Sequence, residues 1–166
     1  MNKYLYLLRH AQAASDMTVN DKDRALTLHG LSQASQIGAY LNDRSITIDQ
    51  LLCSSARRTK MTAAEVKKAG AIIKKENFSD EIYNAPAGSI LNAIQKSDGD
   101  HLLVVAHNPG IHQLANMLVG EGERVHLERL MMGYDPATLC VLKCACESWT
   151  DIQPQGNALV DLIQPQ

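Results

Sequence analysis

An α/β fold with a mostly parallel sheet is predicted by three observations in this chain of 166 residues. Short β-rich apolar runs alternate with segments whose apolar residues recur at helical spacing. One run, His101-Leu102-Leu103-Val104-Val105-Ala106, is apolar at almost every position, as a strand covered on both faces requires. The last two strand-like stretches, Thr138–Glu147 and Asn157–Ile163, are joined by a polar turn, which predicts antiparallel strands at the C-terminal edge. The expected architecture is a three-layer sandwich, with helices flanking a central sheet, in a single domain over residues 1–166.

In chain order, Met1 to Leu8 forms the first buried strand, followed by Arg9-His10-Ala11 and a polar loop from Gln12 to Arg24 that carries Asp16, Asp21 and Asp23. Thr27 is an N-cap for a helix whose Leu31, Ala34, Ile37 and Leu41 share one face, ending at Asn42-Asp43-Arg44. Ile46 to Cys53 is the second strand. Ser54-Ser55 then caps a helix from Ala56 to Ala69, with Ala63, Val66 and Ala69 inward and Gly70 as its stop. A short strand is expected around Glu81-Ile82-Tyr83, then a helix from Gly88 to Lys96 with Ile90, Leu91 and Ile94 inward. Asp98-Gly99-Asp100 turns the chain into the His101–Ala106 strand, and a helix from Ile111 to Leu118 follows His107-Asn108-Pro109-Gly110. In Thr138–Glu147, Cys140, Leu142, Cys144 and Cys146 alternate with polar residues and share one strand face. The cysteines are therefore core residues, since no paired Cys-x-x-Cys or nearby histidine at ligand spacing accompanies them.

Composition narrows the function classes. Apolar residues make up 45% and charged residues 20%, with a net charge of −2 and scattered basic residues, so no nucleic-acid footprint is present. No apolar run approaches the ~20 residues of a membrane span, and the N-terminal run is too short and too charged for a signal peptide. The expectation is a cytoplasmic protein with reduced cysteines, bound neither to nucleic acid nor to membrane. Acidic residues do not cluster at strand ends, so neither a metal nor any other cofactor is expected.

In an open parallel sheet, ligands bind beyond the carboxyl ends of the strands. Three strands end in marked residues: Arg9-His10, Ser54 to Arg58, and His107-Asn108. Arg57 and Arg58 stand in the first turn of a helix, where the dipole disfavours cations and an anion would explain them. Arginine forks and two imidazoles around one crevice suit a phosphoryl group. Nearby cations would keep His10 neutral, the form that carries a nucleophilic lone pair.

These residues resemble the histidine phosphatase (phosphoglycerate mutase-like) superfamily. Its Arg-His-Gly or Arg-His-Ala is matched by Arg9-His10-Ala11. Its Leu-Thr-x-x-Gly is matched by Leu26-Thr27-Leu28-His29-Gly30. Its Ser-Ser-x-x-Arg-x-x-x-Thr-Ala is matched within Ser54-Ser55-Ala56-Arg57-Arg58-Thr59-Lys60-Met61-Thr62-Ala63, and its late histidine by His107. The resemblance implies His10 as a nucleophile forming a phosphohistidine, with Arg9, Arg57 and His107 completing the catalytic phosphate pocket and Arg24 at its edge. Arg58 is left out, because its side chain points about 100° round the helix from that of Arg57. His29, His101, His112 and His126 lack motif support and are taken as surface or structural.

Only about thirty residues separate Gly70 from His101, so no large cap insertion covers the site, as in the SixA-type phosphohistidine phosphatases. An open site suits phosphohistidine on a protein, for instance a histidine phosphotransfer domain. A small phosphorylated metabolite, or phosphate binding without turnover, are the other readings. The resemblance implies a proton donor: the mutase branch uses a mid-chain glutamate, and acid-phosphatase branches place an aspartate after the late histidine. Here that position is Asn108, and among Asp16, Asp21, Asp23, Glu76 and Glu81 the sequence does not choose a proton donor.

Overall fold

The computed structural model describes residues 2–166, so Met1 of the expected first strand lies outside the described residues. Among the described residues seven strands form one sheet: β1 (Lys3–Arg9), β2 (Thr47–Ser54), β3 (Ile72–Ser79), β4 (His101–Ala106), β5 (Val119–Gly122), β6 (Leu139–Cys144) and β7 (Asn157–Ile163). Their order is β3-β2-β4-β1-β6-β7-β5. β3, β2, β4 and β1 run parallel, and β6 is antiparallel to both β1 and β7. The helices are α1 (Leu28–Asp43), α2 (Arg57–Lys68), α3 (Ala87–Gln95), α4 (Gly110–Leu118) and α5 (Arg124–Met132).

Alternation along the strands divides the interior into two cores. Leu5, Leu7, Leu102 and Val104 pack with Ile90, Ile94, Ile111 and Leu114 of α3 and α4. Tyr6, Leu8, Leu103 and Val105 pack on the opposite face with Ala34, Ile37 and Leu41 of α1 and Ala63 and Val66 of α2. This is the three-layer α/β architecture anticipated above. Cys140, Leu142, Cys144 and Cys146 lie together in the first core, so the period-two reading of that strand holds and all four cysteines are free. Thr27 caps α1 as expected, its Oγ1 accepting from the Gly30 amide at 2.9 Å.

Three elements differ from expectation. The strand expected at Glu81-Ile82-Tyr83 lies earlier, at Ile72–Ser79, and Asp80–Ile82 is instead a 3-10 turn whose Ile82 is fully buried. β3 is the edge of the sheet and mostly exposed, so its residues carry charge rather than the apolar signature of a core strand. β5 is a short strand held only by β7, and α5 buries only Leu130, so neither carries the periodicity that would reveal it.

The register aligns the functional edge. Arg9 pairs with Ala106 and Cys53 with Val105, so β1, β2 and β4 end side by side. His10 is pinned just beyond them. Its amide donates to the Ala106 carbonyl and its own carbonyl accepts from the Ala137 amide, both at 3.1 Å.

Candidate active site

A cleft of about 440 Å³ opens at this edge, lined by Arg9, His10, Gln12, Asp21, Arg24, Arg58, Asn84, His107, Asn108 and Pro136 among others. The His10 ring is fixed by Nδ1, which donates to the Ala11 carbonyl at 2.7 Å, since a carbonyl can only accept. Nε2 is left with its lone pair and no protein partner among the described residues. His10 is 8% exposed, and burial lowers its pKa to about 4, helped by the charges of Arg58, Arg9 and Arg24 and opposed by the Ala11 carbonyl. The imidazole is thus neutral at pH 7. Cations contribute to this, but burial is the larger cause.

The His107 ring lies 5.3 Å from that of His10, centroid to centroid, and its Nε2 shares a 2.7 Å hydrogen bond with Ser54 Oγ. Burial and the neighbouring His10 lower its pKa to about 3. Arg9 donates from Nη1 to the Tyr134 carbonyl at 2.9 Å, and Asn108 donates its amide to the same oxygen. Asn108 is therefore a wall of the cleft held by its own hydrogen bond.

Arg57 and Arg58 are placed the opposite way round from expectation. Arg58 is 2% exposed and lines the cleft, whereas Arg57 is exposed and lies in a neighbouring depression with Lys22, Asp23, Ser55, Lys60 and Asp80. The 100° step between them holds, but α2 turns Arg58, not Arg57, inward. Arg58, Thr62 and Val66 recur every four residues on the buried side of α2. The spacing of the Ser-Ser-x-x-Arg-x-x-x-Thr-Ala element also counts to Arg58, so the signal was present in the sequence.

Arg58 is held by the loop that follows His10. Its Nη1 donates to the Asp21 carbonyl at 2.7 Å, and its Nη2 donates to Asp21 Oδ2 at 3.1 Å and to Asn84 Oδ1 at 3.3 Å. Arg24, which also lines the cleft, donates from Nε to Asp21 Oδ1 at 3.1 Å and from Nη1 to the Ala14 carbonyl. Asp21 also accepts from the Tyr83 hydroxyl at 2.5 Å and the Asn84 amide at 3.2 Å. These partners, the Tyr83 hydroxyl foremost, hold its carboxyl well below the usual carboxylate range. Tyr83, Asn84 and Tyr134 escaped the sequence reading because only the folded chain brings them to this edge.

The other candidate proton donors do not line the cleft. Asp16 accepts from Thr18 in an exposed loop, Glu76 pairs with Lys67 on β3, Asp23 faces the neighbouring depression, and Glu81 is exposed in the 3-10 turn. Among the described residues no group of three or more His, Cys, Asp or Glu is arranged to hold a metal ion. No helix among them is long and apolar enough to cross a membrane.

The loop between His10 and α1 is pressed against the helix start. A Cβ at Gly30 would stand 2.1 Å from the Gln12 carbonyl oxygen, which only glycine permits. The Ala11 amide donates to Thr62 Oγ1, which in turn donates to the Arg58 carbonyl, linking the loop after His10 to α2.

The profile of the histidine phosphatase superfamily (branch 1) matches residues 5–84, a stretch that holds Arg9, His10, Arg24 and Arg58. Two solved structures provisionally named phosphohistidine phosphatase SixA superpose over nearly the whole chain. The one from Nakamurella multipartitia has a TM-score of 0.82 and 29% identity, covering 99% of this chain and 97% of its own. The one from Agrobacterium tumefaciens has a TM-score of 0.80 and 28% identity, covering 98% of both. Over residues 5–84 this chain matches the histidine phosphatase superfamily, and over nearly its whole length it is similar to these two structures. An uncharacterized protein of Mycobacterium tuberculosis is 29% identical over 164 residues, covering 96% of this chain and 100% of the relative. Like these SixA-named structures in overall fold, the chain has a short span from α2 to β4 that holds one edge strand, one 3-10 turn and α3, which leaves the cleft open.

Proposed function

We propose that this chain removes phosphoryl groups from phosphohistidine displayed on a protein, through a covalent intermediate on His10 and without a cofactor. The match of residues 5–84 to the histidine phosphatase superfamily and the likeness to SixA-named structures support a phosphatase. The observation that carries the finer reading is a pairing of opposites in one cleft. An imidazole nitrogen is free to attack, while the cleft's single carboxylate, Asp21, is tied to two arginines and a tyrosine.

In the proposed reaction, Arg9, Arg58 and Arg24 surround the phosphoryl oxygens and His107 contacts them from the side. The His10 Nε2 lone pair forms the N–P bond as the bond to the leaving nitrogen breaks. A substrate imidazole that carries a proton on its other nitrogen departs neutral and needs no proton from the enzyme. An alkyl phosphate would expel an alkoxide, and an ionised Asp21 has no proton to give. Water then attacks phosphorus, releasing phosphate and restoring His10.

The test compares phosphate release from a histidine-phosphorylated peptide and from glycerol phosphate, together with trapping of an acid-labile phosphoenzyme. The peptide is expected to be preferred by about 100-fold or more, and the phosphoenzyme to vanish in His10→Ala. Equal rates on the two substrates would favour a phosphomonoesterase. Phosphate binding with no turnover of either would favour a binding module. EDTA is expected to leave the rate unchanged.

A further inference from the structure

Arg57, displaced from the cleft, stands in a depression that adjoins it. The two are continuous through the sequence: Asp21 and Arg58 face the cleft, while Lys22, Asp23 and Arg57 face the depression. Arg57 and Lys60 are one helical turn apart on the exposed side of α2, and neither enters an ion pair among the described residues. Lys60 extends over the ring of Phe78, its Nζ 5.8 Å from the ring centroid, and that phenylalanine is 45% exposed at the sheet edge. Lys22, in the depression, is bonded to Asp80 and lies 5.4 Å from the centre of the Tyr83 ring.

The helix dipole mildly disfavours this arrangement. Two cations stand in the first turns of α2, against the helix dipole and with no side-chain cap at Ala56. They lie beside a cleft in which three arginines face one carboxylate, on a chain whose net charge is −2. In the depression Lys22, Arg57 and Lys60 outnumber Asp23 and Asp80, and an exposed aromatic adjoins it. Arginine with an aromatic is the composition of a protein-binding hot spot, and focused charge speeds the approach of an oppositely charged partner.

We infer that Arg57 and Lys60, with Lys22 and Phe78, form a docking patch for an acidic stretch of the phosphorylated protein whose phosphohistidine enters the adjoining cleft. The inference rests on the phosphohistidine reading above and adds the chemistry of the partner's surface. It also gives Arg57 a role in choosing the substrate, separate from the chemistry on phosphorus.

The experiment uses two histidine-phosphorylated peptides, alike except that one carries glutamates flanking the phosphohistidine and the other glutamines, with free phosphohistidine as a third substrate. The wild type is expected to favour the acidic peptide by about tenfold in kcat/KM, through KM, with the preference shrinking as salt is raised. In the double variant Arg57→Glu with Lys60→Glu, the preference is expected to disappear or invert, with turnover of free phosphohistidine held within about twofold. Glutamate is favourable in the first turn of a helix, and turnover of the free amino acid reports that the fold is intact. An equal rate on both peptides in the wild type, or a preference that survives in the double variant, would overturn the docking patch and leave the phosphatase standing. Failure to hydrolyse any of the three substrates would overturn the phosphohistidine reading and the patch with it.

Discussion

Arg58 donates to both the main-chain oxygen and the carboxylate of Asp21, at 2.7 and 3.1 Å. This double attachment ties the start of α2 to the loop after His10. In the proposed reaction it would set the guanidinium before any phosphoryl group arrives, so that little reorganisation is left. Asp21 accordingly acts on position, and its charge offsets part of the repulsion between Arg58 and Arg24.

Asp21→Asn is expected to keep the fold and lower kcat/KM by about 10- to 100-fold, because Arg58 and Arg24 lose the anchor that aims them. Steady-state kinetics on free phosphohistidine measures this. If Asp21 were a proton donor, activity on a substrate that needs no proton would survive the change.

Arg58→Ala is expected to lower kcat on free phosphohistidine by roughly 100- to 1,000-fold, the usual cost of removing a donor to developing charge. Arg57→Ala is expected to stay within about twofold on the same substrate, as befits an exposed side chain outside the cleft. Parallel kinetics of the two neighbours would expose an error if they lost activity equally.

The two site histidines impose a pH dependence on stability. Burial lowers His10 from 6.5 to about 4 and His107 from 6.5 to about 3. Between these values and 6.5 the unfolded chain binds more protons than the folded one, so unfolding becomes easier as pH falls through that window. Thermal melts should show Tm highest above about pH 6.5, where both histidines are neutral in either state, and declining toward pH 4. Replacing His107 with glutamine should flatten the decline. The acid limb of kcat/KM in the free enzyme should likewise fall near pH 4, well below an ordinary histidine.

Gly30→Ala places a methyl group against the Gln12 carbonyl, a backbone atom that cannot swing away. A loss of about 1–3 kcal/mol is expected, read as a lower urea midpoint. Activity should fall as well, since Gln12 is in the cleft wall two residues from His10.

Local chemistry was enough to place most of the architecture. The apolar run His101–Ala106 could only be a strand covered on both faces, and the spacing of Leu31, Ala34, Ile37 and Leu41 could only bury one side of a helix. Because parallel strands share a direction, the same reading brought Arg9, His10 and His107 to one edge. Information of this kind is periodic and short in range, so it survives without knowledge of neighbours. Edge elements lack it. β3 has a single sheet neighbour and β5 rests on β7 alone, and neither needs an apolar pattern. The orientation of α2 depended on one residue of phase. The repeat of Arg58, Thr62 and Val66 contained that phase, but packing against the sheet and the grip of Asp21 decided which arginine is buried. Asn84 reaches the cleft, and Tyr83 and Tyr134 bond to residues that line it, through turns distant in sequence, where long-range closure sets position and no local pattern records it.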